Sequence, residues 1–203
     1  MQTMTRRAIL AGSAALAGTT LAAATLWRKP EPLVFTLADG QAQFGSAAKG
    51  ARSAMSALIP TNPPAPPEPA QFTDADGKSF SIADFAGQGL ILNLWATWCI
   101  PCVAEMPQLE AAAQALAPDR IAVLPLASDR GGAPVVRKFY AAHDIRGLDV
   151  WLDPKGDAAR AWHARGLPTT LVIDRKGREV ARLEGAYEWA KPDALAELRR
   201  LIG

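Results

Sequence analysis

Cys99 and Cys102 are the only two cysteines in the 203-residue sequence, and they form a single C-x-x-C motif. Apolar residues precede the motif and a helical pattern follows it, which places both sulfurs on one face at the start of a helix. The free N–H groups and the dipole of a helix N-terminus stabilise a thiolate, so Cys99 is expected to ionise readily. Cys99 is therefore predicted to be the attacking nucleophile, and Cys102 is predicted to resolve the mixed disulfide.

Two other uses of the cysteine pair have less support from the sequence. A structural zinc site has the same spacing but needs two more ligands, and the remaining soft donors, His143 and His163, do not form a second motif. A structural disulfide between residues this close would stabilise the chain little, because it closes a very small loop. Both alternatives stay open at this point, and no metal or other cofactor is predicted.

Charge and composition narrow the function classes. The sequence has 22 basic and 20 acidic residues, a formal net charge of +2, and no basic run interleaved with aromatic residues. This balance gives no electrostatic reason to expect a nucleic-acid partner. A hydrophobic content of 49% predicts a packed core.

Residues 1–29 have the pattern of an export segment. Arg6 and Arg7 precede an uncharged stretch, residues 8–27, that is just long enough to span a bilayer as a helix. Either the segment remains as a membrane anchor, or a peptidase removes it after residues 22–24; a buried core helix is the weakest alternative. The arginine pair also resembles a twin-arginine signal.

A linker, residues 30–69, is expected between this segment and a domain that covers residues 70–203. The linker could form a short amphipathic helix at residues 47–58, and its proline-rich part, residues 60–69, predicts an extended spacer.

Within the domain, the pattern predicts alternating strands and helices. The expected elements are a hairpin at 72–82, a buried strand at 90–95, a helix at 101–116, a buried strand at 121–126, a helix at 133–143, a short edge segment at 150–152, a hairpin with strands at 169–173 and 179–183, and a helix at 192–202. A βαβ unit followed by ββα gives a central mixed sheet with helices on both faces.

One short motif contains the cysteine pair, and others follow it later in the domain. They are LNLWATWCIPC at residues 92–102, followed by Glu105 and Pro107, and GLPTT at residues 166–170, followed by VID at 172–174 and Gly177. These motifs resemble the thioredoxin-like proteins of the TlpA/ResA type, and residues 72–77 and 188–190 resemble the TlpA branch in particular. The resemblance implies an α/β thioredoxin fold, with a central mixed β-sheet flanked by helices and an N-terminal β-hairpin.

The resemblance also implies a function. Proteins of this type are periplasmic, often membrane-anchored thiol-disulfide oxidoreductases, usually reductants that serve cytochrome c maturation or the copper centre of cytochrome oxidase. It implies disulfide-containing protein substrates and a membrane electron donor as partners. The uncharged pair Ile100 and Pro101 also favours a reductant, because strong oxidants typically place a donor such as His between the cysteines.

The resemblance assigns roles to further residues. Glu105 is implied to move the proton of the buried Cys102, although by its position alone it could equally be a solvated charge in an early helical turn. Pro168 is implied to be cis and to pack beside the disulfide, and Leu167 to offer its backbone to an extended substrate strand. Trp98 is expected at an exposed apolar rim where substrates dock.

Asn93 and Trp95 precede the cysteine motif, and neither is assigned a definite role in the reaction. Asn93 occupies the place of a buried Asp in thioredoxin, but it cannot titrate. It is either a satisfied polar group or a residue that tunes the site, whereas Trp95 is expected in the core.

Two other classes share the expected fold. A copper-delivering chaperone would require C-x-x-x-C spacing and a distal His ligand, and it is kept as the alternative function. A peroxidase would require a lone peroxidatic Cys, which the sequence lacks.

Overall fold

The computed structural model describes residues 58–203, which contain the whole expected domain. The export segment and the helix expected at residues 47–58, apart from its last residue, lie outside the described residues. Within the described part of the chain, no helix has the length and apolar character needed to cross a bilayer.

The described chain forms eight strands and four α-helices. The strands are β1 (Ile59–Ala65), β2 (Phe72–Asp74), β3 (Ser79–Phe80), β4 (Gly89–Trp95), β5 (Ile121–Ala127), β6 (Trp151–Leu152), β7 (Thr169–Ile173) and β8 (Glu179–Glu184). The helices are α1 (Ile100–Leu116), α2 (Ala133–Ala142), α3 (Asp157–Ala161) and α4 (Pro192–Ile202). The two hairpins, the central strands and the three longer helices confirm the predicted elements.

All eight strands belong to one mixed sheet in the order β1-β8-β7-β4-β5-β6-β2-β3. Strand β4 is parallel to β5 and antiparallel to β7, and all seven of its residues are buried, as its continuous apolar run predicts. One face of the sheet packs against α1, α2 and α4, and the other packs against α3 and the aromatic residues of the β2–β3 hairpin. The predicted thioredoxin fold with flanking helices is confirmed.

Three features differ from the expectations. The prediction of an edge position for residues 150–152 is wrong, because β6 lies between β5 and β2. Helix α3 was not predicted, since five residues are too few to show a helical period. Part of the expected linker forms β1, which pairs antiparallel with β8 at the edge of the sheet, where prolines are tolerated.

Candidate active site

The cysteine pair lies where β4 leads into α1. Cys99 occupies the position just before the first helical turn, Pro101 lies within that turn, and Cys102 follows one turn further on. The two sulfurs form a disulfide with a Cα–Cα distance of 5.3 Å, so the structure represents the oxidised form. Cys99 is 6% exposed and Cys102 is fully buried, which leaves Cys99 as the sulfur that a partner can reach.

The loop that enters the motif is fixed by a buried carboxylate. Asp129, which follows β5, accepts hydrogen bonds from the backbone N–H of Thr97 at 3.0 Å and from its hydroxyl at 2.6 Å. The N–H of Ser128 donates to the carbonyl of Trp95 at 2.9 Å. These bonds anchor the residues just before Cys99 to the neighbouring strand. Sequence analysis did not single out Asp129, because its partner is more than 30 residues away in the chain.

The two residues that flank Cys99 in the chain are apolar and exposed. Trp98 is 69% exposed and Ile100 is 84% exposed, which agrees with the rim expected at Trp98. The Leu167–Pro168 peptide bond is cis, as the resemblance implied. Thr169 is paired with Leu94, so Pro168 lies beside the end of β4 from which the chain continues to the cysteines.

Glu105 is buried in the core, with only 2% of its surface exposed. The alternative of a solvated surface charge is therefore excluded. Its Oε1 accepts a hydrogen bond from Asn93 Nδ2 at 2.9 Å, and its Oε2 accepts bonds from the Tyr187 N–H at 3.1 Å and from Trp189 Nε1 at 3.0 Å. Burial raises the pKa of Glu105 above its ordinary value, and the three hydrogen bonds oppose that rise.

Asn93 links this carboxylate to the sheet. Its Nδ2 donates both to Glu105 and, at 2.9 Å, to the hydroxyl of Thr170, its partner across the β4–β7 register. Its Oδ1 is buried without a hydrogen-bond partner. Asn93 is thus part of the polar cluster around Glu105. Trp95 is fully buried, as predicted, and its indole N–H has no partner.

Sequence analysis also gave no role to Tyr187 and Trp189, although residues 188–190 contributed to the resemblance. These residues lie between β8 and α4, more than 80 positions after Glu105, and no short motif spans that distance. No signal in the sequence connects them with Glu105, because its position alone did not establish that it is buried and in need of donors.

The arrangement is suited to moving electrons and protons together. An accessible sulfur is bonded to a buried one, and the helix carrying both also carries a buried carboxyl whose raised pKa lets it exchange a proton nearer neutral pH. Among residues 58–203, no group of three or more His, Cys, Asp or Glu side chains is placed to bind a metal ion.

This chain is similar in sequence to known proteins. Residues 64–181, more than half of the chain, match the model of the AhpC/TSA family. The thiol-disulfide oxidoreductase ResA of Bacillus thuringiensis subsp. konkukian is 30% identical over 113 residues, which cover 56% of this chain and 64% of the relative. The matched part is thus less than two thirds of that relative's length.

Two solved structures have a similar fold. StoA from Bacillus subtilis is 25% identical, with a TM-score of 0.52 over 69% of this chain and 100% of its own. The pneumococcal exposed lipoprotein thioredoxin Etrx1, from Streptococcus pneumoniae strain TIGR4, is also 25% identical, with a TM-score of 0.52 over 65% of this chain and 98% of its own.

Proposed function

This chain belongs to the AhpC/TSA family, and from its cysteine pair we propose that it is a thiol-disulfide oxidoreductase that reduces protein disulfides outside the cytoplasm. The observation that carries the proposal is the disulfide between an accessible Cys99 and a fully buried Cys102 at the start of α1. The name of the relative ResA supports the activity.

The reaction transfers two electrons from the cysteine pair to a substrate. In the reduced protein, the Cys99 thiolate attacks one sulfur of the substrate disulfide, and the displaced substrate sulfur leaves as a thiolate that takes up a proton from solvent. Cys102 then passes its proton to Glu105 and attacks the Cys99 sulfur. The mixed disulfide breaks as the disulfide within the protein forms, and the second substrate sulfur leaves as a thiolate that takes up a proton from solvent. Glu105 then returns its proton to solvent.

The proposed docking site for the substrate chain consists of Trp98, Leu167 and Pro168, of which Pro168 packs beside the disulfide. Trp98 supplies exposed apolar surface, and Leu167, just before the buried Pro168, supplies backbone groups to an extended segment. Within residues 58–203 no hydrogen bond engages the N–H or the carbonyl of Leu167, which leaves both groups available to a substrate.

The direction of electron flow and the location are further parts of the proposal. Ile100 and Pro101 place no charge or side-chain donor between the cysteines, which supports a reductant. A reductant outside the cytoplasm must be recharged, so a membrane electron donor is a proposed partner. The pattern of residues 1–29 supports export to the periplasmic side of the inner membrane, with or without retention as an anchor. The name of Etrx1 describes that relative as an exposed lipoprotein.

The substrates are proposed from the TlpA/ResA resemblance alone. They are disulfide-containing proteins of cytochrome c maturation or of copper-site assembly in cytochrome oxidase. Assignment to the TlpA branch rests on residues 72–77 and 188–190.

Insulin reduction, followed as turbidity with dithiothreitol as the final reductant, tests the activity. Wild-type protein is expected to accelerate the reaction, and Cys99→Ser is expected to abolish the acceleration. Cys102→Ser is expected to accumulate a mixed disulfide through Cys99. A complex trapped through Cys102 in Cys99→Ser would contradict the assignment of the nucleophile.

Titration of the reduced protein with Cu(I) distinguishes the alternative function, a copper-delivering chaperone, from disulfide exchange. Tight one-to-one binding without insulin reduction would favour a copper chaperone over an exchanger. Trapping with Cys102→Ser in an extract of the native cell would then identify the physiological partner.

A further inference from the structure

The loop of residues 185–191, between β8 and α4, covers the carboxyl group of Glu105. It supplies two of the three donors to that group, the backbone N–H of Tyr187 and the indole N–H of Trp189, and both bind Oε2. Trp189 is fully buried and its ring lies against that of Tyr187 at 4.9 Å between centroids. The position of the indole is therefore fixed by packing.

The two carboxylate oxygens of Glu105 differ in how many further hydrogen bonds each can form. A carboxylate oxygen has about two lone-pair directions for hydrogen bonds. Oε2 uses both, one for each donor from the loop, whereas Oε1 accepts a single bond from Asn93. A proton that arrives at Glu105 therefore has a free position only on Oε1.

We propose that Trp189 is a positioning residue for the exchange reaction: by occupying Oε2 together with the Tyr187 N–H, it directs the proton of Glu105 to Oε1. The inference rests on the proposed function, in which Glu105 exchanges a proton with Cys102. It assigns to Trp189 a role that acts only through Glu105.

Loss of the indole donor changes the acidity of Glu105 in a defined direction. Burial raises the pKa of Glu105, and the bonds from Asn93, Trp189 and Tyr187 lower it. A hydrogen bond to a charged group favours the ionised form, so removal of the Trp189 donor moves the pKa further up.

Other charges do not obscure this effect. The strands β4, β5 and β7 contain no ionisable side chain. Ionisable side chains on the remaining elements around Glu105 are Cys102 and Glu110 on α1, Tyr187, Glu188 and Lys191 on the loop, and Asp193, Glu197, Arg199 and Arg200 on α4. Glu188 pairs with Lys191, Glu197 with Arg200, and Arg199 with Asp119. Burial and hydrogen bonds, and no charged group, are the causes of the shift in the Glu105 pKa.

The test compares two Trp→Phe substitutions in the same core cluster. Trp189→Phe removes the donor to Glu105, whereas Trp95→Phe removes an indole N–H that has no partner. The Glu105 pKa is followed by NMR of 13C-labelled carboxyl groups in the oxidised full chain. The pH dependence of insulin reduction is measured in parallel, with circular dichroism to confirm folding.

Trp189→Phe is expected to raise the Glu105 pKa by about one unit and to move the midpoint of the exchange reaction to higher pH by a similar amount. Trp95→Phe is expected to leave both unchanged. In a Glu105→Gln background, Trp189→Phe is expected to cause no further change in the pH profile, because its effect passes through the carboxyl group.

An unchanged Glu105 pKa in Trp189→Phe, or a shift that persists in the Glu105→Gln background, would overturn the inference. If Trp189→Phe does not fold, the isosteric benzothienylalanine at position 189 removes the donor without changing the ring volume, and the same outcomes apply. Wild-type protein that fails to reduce insulin would refute the proposed function, whereas an active wild type with an unresponsive Trp189→Phe would refute the inference alone.

Discussion

The buried carboxyl group of Glu105 both accepts hydrogen bonds and can ionise. Substitutions of Glu105 separate the effects of these two properties on stability. Three donors, Asn93 Nδ2, Tyr187 N–H and Trp189 Nε1, point at its carboxyl oxygens. Glu105→Ala leaves all three without an acceptor in the core. Each unsatisfied buried donor costs about 1–3 kcal/mol, so this variant is expected to lose at least about 3 kcal/mol of folding free energy.

Glu105→Gln is expected to lower the free energy of unfolding much less than Glu105→Ala does, because the side chain of Asn93 can adapt to it. The Gln carbonyl keeps the two bonds from the 185–191 loop, but its NH2 group then faces the NH2 group of Asn93. Rotation of the Asn93 amide by a half-turn brings Oδ1, which has no partner in the structure, into position to accept from Gln and from the Thr170 hydroxyl. A polar replacement is thus accommodated within the same cluster.

The pH dependence of stability distinguishes the charge from the hydrogen bonds. Burial raises the pKa of Glu105 in the folded state above its unfolded value of 4.5. Below the unfolded pKa the carboxyl group is neutral in the folded and in the unfolded state, so its ionisation does not affect stability. As the pH rises above the unfolded pKa, the unfolded chain ionises while burial keeps the folded carboxyl protonated, so stability falls until the pH has passed the folded pKa. Glu105→Gln removes this loss.

Urea unfolding of the oxidised wild type and of both variants, from about pH 4 to about pH 8, measures these effects. Glu105→Gln is expected to gain stability relative to wild type as the pH rises, and Glu105→Ala is expected to be the least stable at every pH. A difference between wild type and Glu105→Gln that stays constant over this range would refute a buried carboxyl with a raised pKa.

Other parts of the structure give further expectations. Trp98→Ala is expected to lower kcat/KM for insulin about tenfold, because the ring is exposed and is proposed to dock the substrate. The free energy of unfolding is expected to change by no more than about 0.5 kcal/mol, and an equal loss of activity with a small disulfide would contradict docking. Asp129→Ala is expected to destabilise the protein by about 2 kcal/mol in urea unfolding, since Thr97 loses an acceptor for both of its bonds; no change would show that this bond pair is unimportant. Gly89→Ala is expected to lower stability by about 1–3 kcal/mol, because the added Cβ would lie 2.3 Å from the Ile202 side chain; a neutral effect on the thermal midpoint would show that α4 can shift.

The sequence was informative wherever a long pattern or a local motif defined the structure. Examples are the apolar run of β4, the cysteine spacing at the start of α1 and the turn between β7 and β8. Each of these features is defined by residues that are close together in the chain. Their positions in the fold follow from local propensity and burial. The cis bond before Pro168 was predictable only from the resemblance, because an X-Pro bond has no local signature for that isomer.

The parts that escaped prediction depend on contacts between distant residues. Strand β6 has only two residues, and its interior place depends on β2 pairing with it across the chain. Proline-rich β1 has the composition of a spacer, and only its pairing with β8 makes it a strand. Two of the three donors to Glu105 come from the 185–191 loop, which no spacing rule connects to α1.

Alkylation of the reduced protein tests the central claim most directly. Iodoacetamide is applied over a range of pH, and mass spectrometry of peptides locates the label. We expect a single label on Cys99 at a pH well below that at which an ordinary thiol ionises, about 8.5, while Cys102 stays unlabelled. Labelling of Cys102 before Cys99, or no selective labelling below that pH, would contradict the assignment of Cys99 as the nucleophile of a redox-active pair.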